Sequence, residues 1–299
     1  MCCLFGVVDY KKSFTSKQMN KVIGILSKAC EARGVDATGI AYNTPDRLKI
    51  YKRPLPVRRM RYRVPEGIHT VMGHTRMTTQ GDEKHNYNNH PFYGKVDNTD
   101  FALAHNGVLH NDFAIREIEE LPYTKIETDS YVAVQLIEKK ETLNTDSLKY
   151  MAEQLEGSFT ITLLDREDNL YFVKGDNPMC IYHFKSKGFY IYASTEEILK
   201  KALKKMTYNF GRYEKVTLIS GEMLTIDKQG ETSKSYFDDS NLMTCYYPRY
   251  YSFSAEPDEE YINALKHVAT RHGITGKYVD YLLDEGFSTD DIEELIYCY

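Results

Sequence analysis

Cys2 follows the initiator Met1. Removal of Met1, the usual fate of a methionine before a small residue, would leave a thiol and a free α-amine on one residue: a nucleophile beside its own base. An α-amine titrates at about 7.7–8.0 in reference peptides, so its neutral form is available for proton transfer at neutral pH. Three further places carry reactive or binding groups. The run GHTRMTTQG (73–81) sets Arg76 and Thr79 in a turn after a strand-like segment. A guanidinium fork there can take a carboxylate through two parallel hydrogen bonds, or form an ordinary surface ion pair. In ALAHNGVL (102–109), the polar Asn106-Gly107 step interrupts an apolar strand. The Asn106 amide and the Gly107 N–H can point at one developing oxyanion, although Asn-Gly is also a hairpin signal. Asp129, in ETDSYVAVQLIE (127–138), is expected to open a helix, either as its cap or as the partner of an ammonium group.

The elements that must hold these groups are legible as periodicities. Met19, Val22, Leu26 and Cys30 predict an amphipathic helix over 16–33, with Thr15 or Ser16 as cap and Gly34 as stop. DSLKYMAEQLEG (146–157) repeats the pattern and stops at Gly157. Ser194, three residues before Glu197, reads as the capping box of another helix. Between them, HTVMGHT, FALAH, SFTITLLD, LYFVKG, FYIYAS and EMLTID are short β-branched and aromatic runs. Several are too apolar to leave one face in water, which predicts packed sheets. The layered sheet-and-helix domain is expected to end near residues 227–230. A tyrosine-rich connector follows over 231–255. From residue 256 onward, three short helical stretches are expected, broken at Gly273–Gly276 and Gly286–Ser288. In the last, Ser288 reads as N-cap to an Ile292, Leu295 and Ile296 stripe.

The 299 residues allow one large domain or two. No apolar run approaches the roughly 18 residues needed to span a bilayer. The first residues lack a basic stretch ahead of an apolar segment, so no secretory signal is read and a cytoplasmic address is expected. Six scattered cysteines form no CxxC pair or dense framework, which predicts reduced thiols. His74, His85, His90 and His105 match no zinc spacing; no metal and no cofactor are expected. Charge is divided unevenly: residues 256–299 hold 11 acidic and 3 basic side chains, whereas 47–63 holds eight basic and none acidic. That basic run reads as a solvated strand and loop, and with no accompanying motif it does not predict nucleic-acid binding.

Cys2 within MCCLFG, RGVDATGIAYN (33–43), GHTRMTTQG, NNHPF (88–92), HNG (105–107) and TDS (128–130), in that order, resemble the class II glutamine amidotransferases, which are N-terminal-nucleophile (Ntn) hydrolases. EGSFTITLLD and YIYASTEEIL are similar to later parts of that domain, and the resemblance runs from Cys2 to about residue 228. It implies an α+β fold, a four-layer αββα sandwich, here over residues 2–230 with a small acidic helical appendage at 256–299. It also implies that Cys2 attacks the side-chain amide of glutamine to give a thioester and ammonia. Asn106 and Gly107 would hold the oxyanion, Arg76 the substrate carboxylate with help from Thr79, and Asp129 the substrate ammonium.

The sequence departs from that pattern in three respects. Cys3 stands where the family has glycine after the nucleophile, the turn after Arg76 reads Met77-Thr78-Thr79-Gln80, and no GxGxxG or GxxxxGK[ST] element accompanies the domain. A separate synthase or acceptor protein is therefore an expected partner, together with glutamine; no membrane partner is expected and a homo-oligomer is allowed. Two rival readings remain open: another N-terminal-cysteine amidase acting on a γ-glutamyl or related amide, and a non-catalytic glutamine-sensing module.

Overall fold

The computed structural model describes residues 2–243, 262, 263, 265, 266, 269, 270, 274–285 and 292. The long apolar runs of the sequence pair as two antiparallel sheets. The first contains seven strands in the order β11-β9-β10-β1-β4-β2-β3. These are β1 (Cys3–Val8), β2 (Ala37–Asn43), β3 (Leu48–Arg53), β4 (Thr70–Arg76), β9 (Cys180–Phe184), β10 (Phe189–Ala193) and β11 (Glu214–Val216). The second has six, in the order β13-β12-β8-β7-β6-β5. They are β5 (Phe92–Lys95), β6 (Asp100–Leu109), β7 (Gly157–Asp165), β8 (Leu170–Lys174), β12 (Glu222–Ile226) and β13 (Thr232–Tyr236).

Strand alternation gives each sheet two apolar faces. The facing surfaces meet in a core that includes Leu4, Met72, Ala104, Leu164, Phe172 and Tyr192. Outside the first sheet lie helices α1 (Ser16–Cys30) and α5 (Glu196–Lys205), packed on Phe5, Val7 and Ile191 through Met19, Leu26 and Leu199. Outside the second lie α3 (Tyr131–Lys139) and α4 (Thr145–Gln154), packed on Leu103, Phe159 and Ile161 through Val132, Leu136 and Met151. The order helix, sheet, sheet, helix is the expected αββα sandwich. A short helix, α2 (Asp112–Ile118), follows β6.

Local chemistry explains most element boundaries. Thr15, one of the two caps the sequence predicts for α1, forms a capping box with Gln18, and Met19, Val22, Leu26 and Cys30 are all buried. The cap of α5 is a correction: Thr195, not Ser194, accepts from the Ile198 N–H. Ser194 Oγ instead accepts from Leu4 N at 2.8 Å, tying the end of β10 to β1. In α4 the cap is Asn144, and Gly157 opens β7 after the helix has ended at Gln154. The basic run becomes edge strand β3 and a following 3₁₀ turn, with Arg58 paired to Glu31.

The chain divides into two compact units, Met1–Cys245 and Tyr246–Tyr299. In the first, β13 pairs along β12 beyond residue 230. Within the second, Leu265, Ala269, Val279, Leu282 and Ile292 bury one another around α6 (Gly276–Asp284). Thr275, inside the expected glycine break, caps α6 through Tyr278 N at 3.3 Å. The connector at 244–255 and the expected Ser288 cap with Leu295 and Ile296 lie outside the described residues. Among the described residues, no helix is long and apolar enough to cross a membrane.

Candidate active site

Register brings the first two candidate groups to one end of the first sheet. β1 and β4 run antiparallel with Cys3 opposite Thr75, so Cys2 and Arg76 are the next pair along. Cys2 Sγ lies 3.4 Å from both the N and the O of Met77, and the Cys2 carbonyl accepts from Arg33 Nε at 2.9 Å. The thiol is half-buried, which pushes its pKa up; the Met77 N–H and the Arg76 charge pull it back. Cys3, the departure from the family pattern, points to the other face of the sheet. Its sulfur lies in the core shared with Met19, Cys30 and Leu199, fully buried.

Arg76 is 2% exposed, yet every acceptor it meets is neutral. Nη1 donates to Asn89 Oδ1 at 2.7 Å, and Nη2 to the carbonyls of Gln80 at 2.5 Å and Gly81 at 3.0 Å. Burial lowers its pKa, while the nearby Cys2 and Asp129 oppose that shift. A buried guanidinium held by neutral dipoles keeps its full charge for an incoming anion. Behind it, Lys52 Nζ donates to the Asn89 carbonyl, and burial together with Arg76 lowers the lysine pKa to about 7. Thr79 is exposed on the following loop and makes no bond to Arg76 among the described residues. Its neighbour Gln80 does the anchoring, donating to Asp112 Oδ2 at 3.2 Å and to the Glu127 carbonyl at 3.0 Å.

The second sheet supplies Asn106 and Gly107, which sit in β6 opposite Thr160 and Phe159 of β7. The expected hairpin alternative is thus excluded: the step lies inside a continuous ten-residue strand. Asn106 is fully buried, and neither its Nδ2 nor its Oδ1 has a partner. An amide so placed is costly to a fold that never uses it. Gly107 has φ +148°, and a Cβ there would stand 1.8 Å from the Ser158 oxygen. Only glycine lets β6 approach β7 so closely at this point.

Asp129 is buried in the turn just before α3, rather than capping it as one reading had it. Its Oδ2 accepts from Leu109 N at 2.7 Å; its Oδ1 accepts from Ser130 N at 2.7 Å and Ser130 Oγ at 3.0 Å. The structure therefore gathers Cys2, Arg76 and Asp129 within electrostatic reach of one another. Asp129 is in turn bonded to the end of the strand that carries Asn106 and Gly107. Thr79 is the one candidate left outside this arrangement.

Asn89, Lys52 and Ser130 belong to the site's support and were not singled out by sequence reasoning. Asn89 and Ser130 do lie within NNHPF and TDS, and that is the signal that could have found them. The buried histidines group here as well. His74 and His90 rings stand 4.3 Å apart, His90 and His105 6.4 Å apart, and both ring nitrogens of His90 lack partners. No cluster able to hold a metal occurs among the described residues.

Comparison with known proteins gives the arrangement its family. No family model matches the chain. Over 237 residues it is 32% identical to a glutamine–fructose-6-phosphate aminotransferase (isomerizing) from Listeria innocua, covering 76% of this chain and 36% of that protein. A protein of the same description from Sulfurisphaera tokodaii is 31% identical over 191 residues, 60% of this chain and 31% of its own. The chain carries a class II glutamine amidotransferase domain. The chain spans about a third of the length of these curated relatives. The fold agrees: the glutamine phosphoribosylpyrophosphate amidotransferase of B. subtilis superposes with a TM-score of 0.64 at 18% identity, over 79% of this chain and 49% of that one. In this glutamine amidotransferase domain, the candidate residues come from both sheets, Cys2 and Arg76 from the end of the first and Asn106 and Gly107 from β6 of the second.

Proposed function

We propose that the chain hydrolyses the side-chain amide of L-glutamine through Cys2 and releases glutamate and ammonia. The observation that carries this reading is the Asn106 amide, fully buried and without a partner on either polar atom, one residue before a glycine where any Cβ would clash with Ser158. The buried Arg76 with neutral acceptors suits the substrate α-carboxylate, and Asp129 suits its α-ammonium.

In this mechanism Met1 is first removed. The neutral α-amine of Cys2 takes the thiol proton, and Sγ bonds to the amide carbon as the carbonyl π pair moves onto oxygen. The oxyanion is met by the Asn106 side-chain N–H and the Gly107 backbone N–H, each worth about 3 kcal/mol of transition-state stabilisation. The C–N bond then breaks, the amine returns its proton to the leaving nitrogen, and ammonia departs. Water, deprotonated by the same amine, cleaves the γ-glutamyl thioester to glutamate and restores the thiol. The ammonia passes to an acceptor bound by a separate domain or protein. Fructose 6-phosphate, the sugar in the relatives' name, is the first acceptor to test. The proposed setting is the reducing cytoplasm, which keeps a nucleophilic thiol free.

Intact-mass measurement and glutamate release test the reading together. Protein lacking Met1 should turn over glutamine and take up one equivalent of a diazoketone analogue of glutamine at Cys2, and Cys2→Ala should do neither. Full turnover by protein that retains Met1 would rule out the proposed base.

A further inference from the structure

Ser130 occupies the N-cap position of α3, but its hydroxyl makes no capping bond and its backbone is already helical, with φ −57° and ψ −23°. The hydroxyl is used elsewhere. Ser130 Oγ lies 3.0 Å from Asp129 Oδ1 and 2.7 Å from His105 Nδ1, and all three residues are buried. On the far side of the ring, His105 Nε2 lies 3.4 Å from the Ser158 carbonyl. We infer that Ser130 and His105 are positioning residues that couple capture of the substrate ammonium at Asp129 to the geometry of the Asn106–Gly107 oxyanion donors. This rests on the glutamine-hydrolysing reading above and deepens it.

The coupling follows from proton counting. A hydroxyl has one proton to give, and a neutral imidazole has one N–H and one bare nitrogen. In one arrangement Ser130 O–H donates to Asp129, so His105 must carry its proton on Nδ1 and donate to Ser130 Oγ. That leaves the bare Nε2 lone pair facing the Ser158 oxygen. In the other arrangement Ser130 O–H donates to His105 Nδ1, and Nε2–H donates to Ser158. Asp129 Oδ1 then keeps only the Ser130 backbone N–H. Without substrate, the buried carboxylate draws the hydroxyl proton, because bonds to a charged acceptor are the stronger.

An ammonium arriving at Asp129 brings three donors and a full charge. The carboxylate no longer needs the hydroxyl, the Ser130 proton turns to His105, and the imidazole proton settles on Nε2, facing Ser158. That site matters because an ideal Cβ on Gly107 would fall 2.7 Å from His105 Nε2 and 1.8 Å from the Ser158 oxygen. The new Nε2–H bond therefore draws β6 to β7 at the glycine whose N–H meets the oxyanion. The opposite side of His105 is fixed already, since its carbonyl accepts from His74 Nε2 at 2.9 Å.

The test pairs L-glutamine with glutaramate, which has the same amide and carboxylate but no α-ammonium. In the wild type the ammonium should improve both KM and kcat. In Ser130→Ala the kcat advantage should shrink about tenfold, the worth of one charge-assisted hydrogen bond, while the KM advantage persists; Ser130→Thr should restore it. In ¹⁵N-histidine spectra of Cys2→Ala, saturating glutamine should move His105 from the Nδ1–H to the Nε2–H tautomer. A tautomer unchanged by glutamine, or a Ser130→Ala loss equal for both amides, overturns the coupling while leaving the catalytic reading in place. A wild type that releases ammonia from neither amide overturns both.

Discussion

The ring of His74 in β4 and the backbone oxygen of His105 in β6 are 2.9 Å apart, a bond that joins the two sheets one residue before Asn106. A carbonyl only accepts, so His74 carries a proton on Nε2 and donates it. Burial is the main reason its pKa falls to about 3, and the same cause lowers His105 and holds His90 well below the ordinary value. Three neutral buried imidazoles thus stand at the seam between the sheets.

The seam should make the fold acid-sensitive. All three folded pKa values lie below those of the unfolded chain, so the stability they carry is complete above about pH 6.5 and is lost as pH falls, for His74 down to about 3. Each such histidine contributes a slope of about 1.4 kcal/mol per pH unit in that window. Urea midpoints should therefore drop steadily between pH 7 and 5. His90→Phe should flatten the slope by about one proton and raise the midpoint, because His90 has no hydrogen bond to lose and already packs 4.4 Å from Phe92. An unchanged pH slope in this variant would contradict the neutral, buried assignment.

Removing the Asn106 side-chain amide should separate activity from stability. Asn106→Ala leaves no orphaned partner, because the amide has none in the free protein, and so the thermal midpoint should hold or rise. Glutamate release should nevertheless fall by about 10²- to 10³-fold in kcat, the usual cost of one oxyanion donor. A large loss of stability with activity retained would reverse the assignment.

Arg76→Lys keeps the charge but loses the fork that spans Asn89 Oδ1 and the two carbonyls. KM for glutamine should rise at least about tenfold with a smaller change in kcat, while an amide lacking the α-carboxylate should show no such rise. Steady-state kinetics on the two amides would decide it.

Gly107→Ala should damage the fold itself. The added methyl would meet the Ser158 oxygen at 1.8 Å in a backbone conformation that L residues rarely adopt. A loss of about 3 kcal/mol or more is expected, read as a lowered denaturation midpoint. A variant as stable as the wild type would mean that β6 and β7 can part here without cost.

Much of this was legible in the sequence, and the remainder was hidden for identifiable reasons. α1 was readable because Met19, Val22, Leu26 and Cys30 repeat at helical spacing behind Thr15. The cap of α5 was misread by one residue, since Ser194 and Thr195 are both good caps and only the distant Leu4 N–H decides between them. β13 escaped notice because TSKSY carries no apolar face: it is an exposed edge strand specified by its partner β12. Cys2, Arg76, Asn106, Gly107 and Asp129 are each ambiguous by residue type and stand out as candidates only through the ordered set of motifs that contains them. Asn89 and Ser130 lie inside the NNHPF and TDS motifs, but what they hold, like the role of Lys52, is set by contacts with other strands that the motifs do not spell out.

Two adjacent sulfurs end up in separate chemical worlds because a pleated backbone sends successive side chains to opposite sides. Cys2 is half-buried beside Met77, whereas Cys3 is sealed beneath α1. An alkylating agent meeting the folded molecule would discriminate between neighbours joined by a single peptide bond: the first sulfur would register visitors to the cleft, and the second would stay silent until the sandwich came apart.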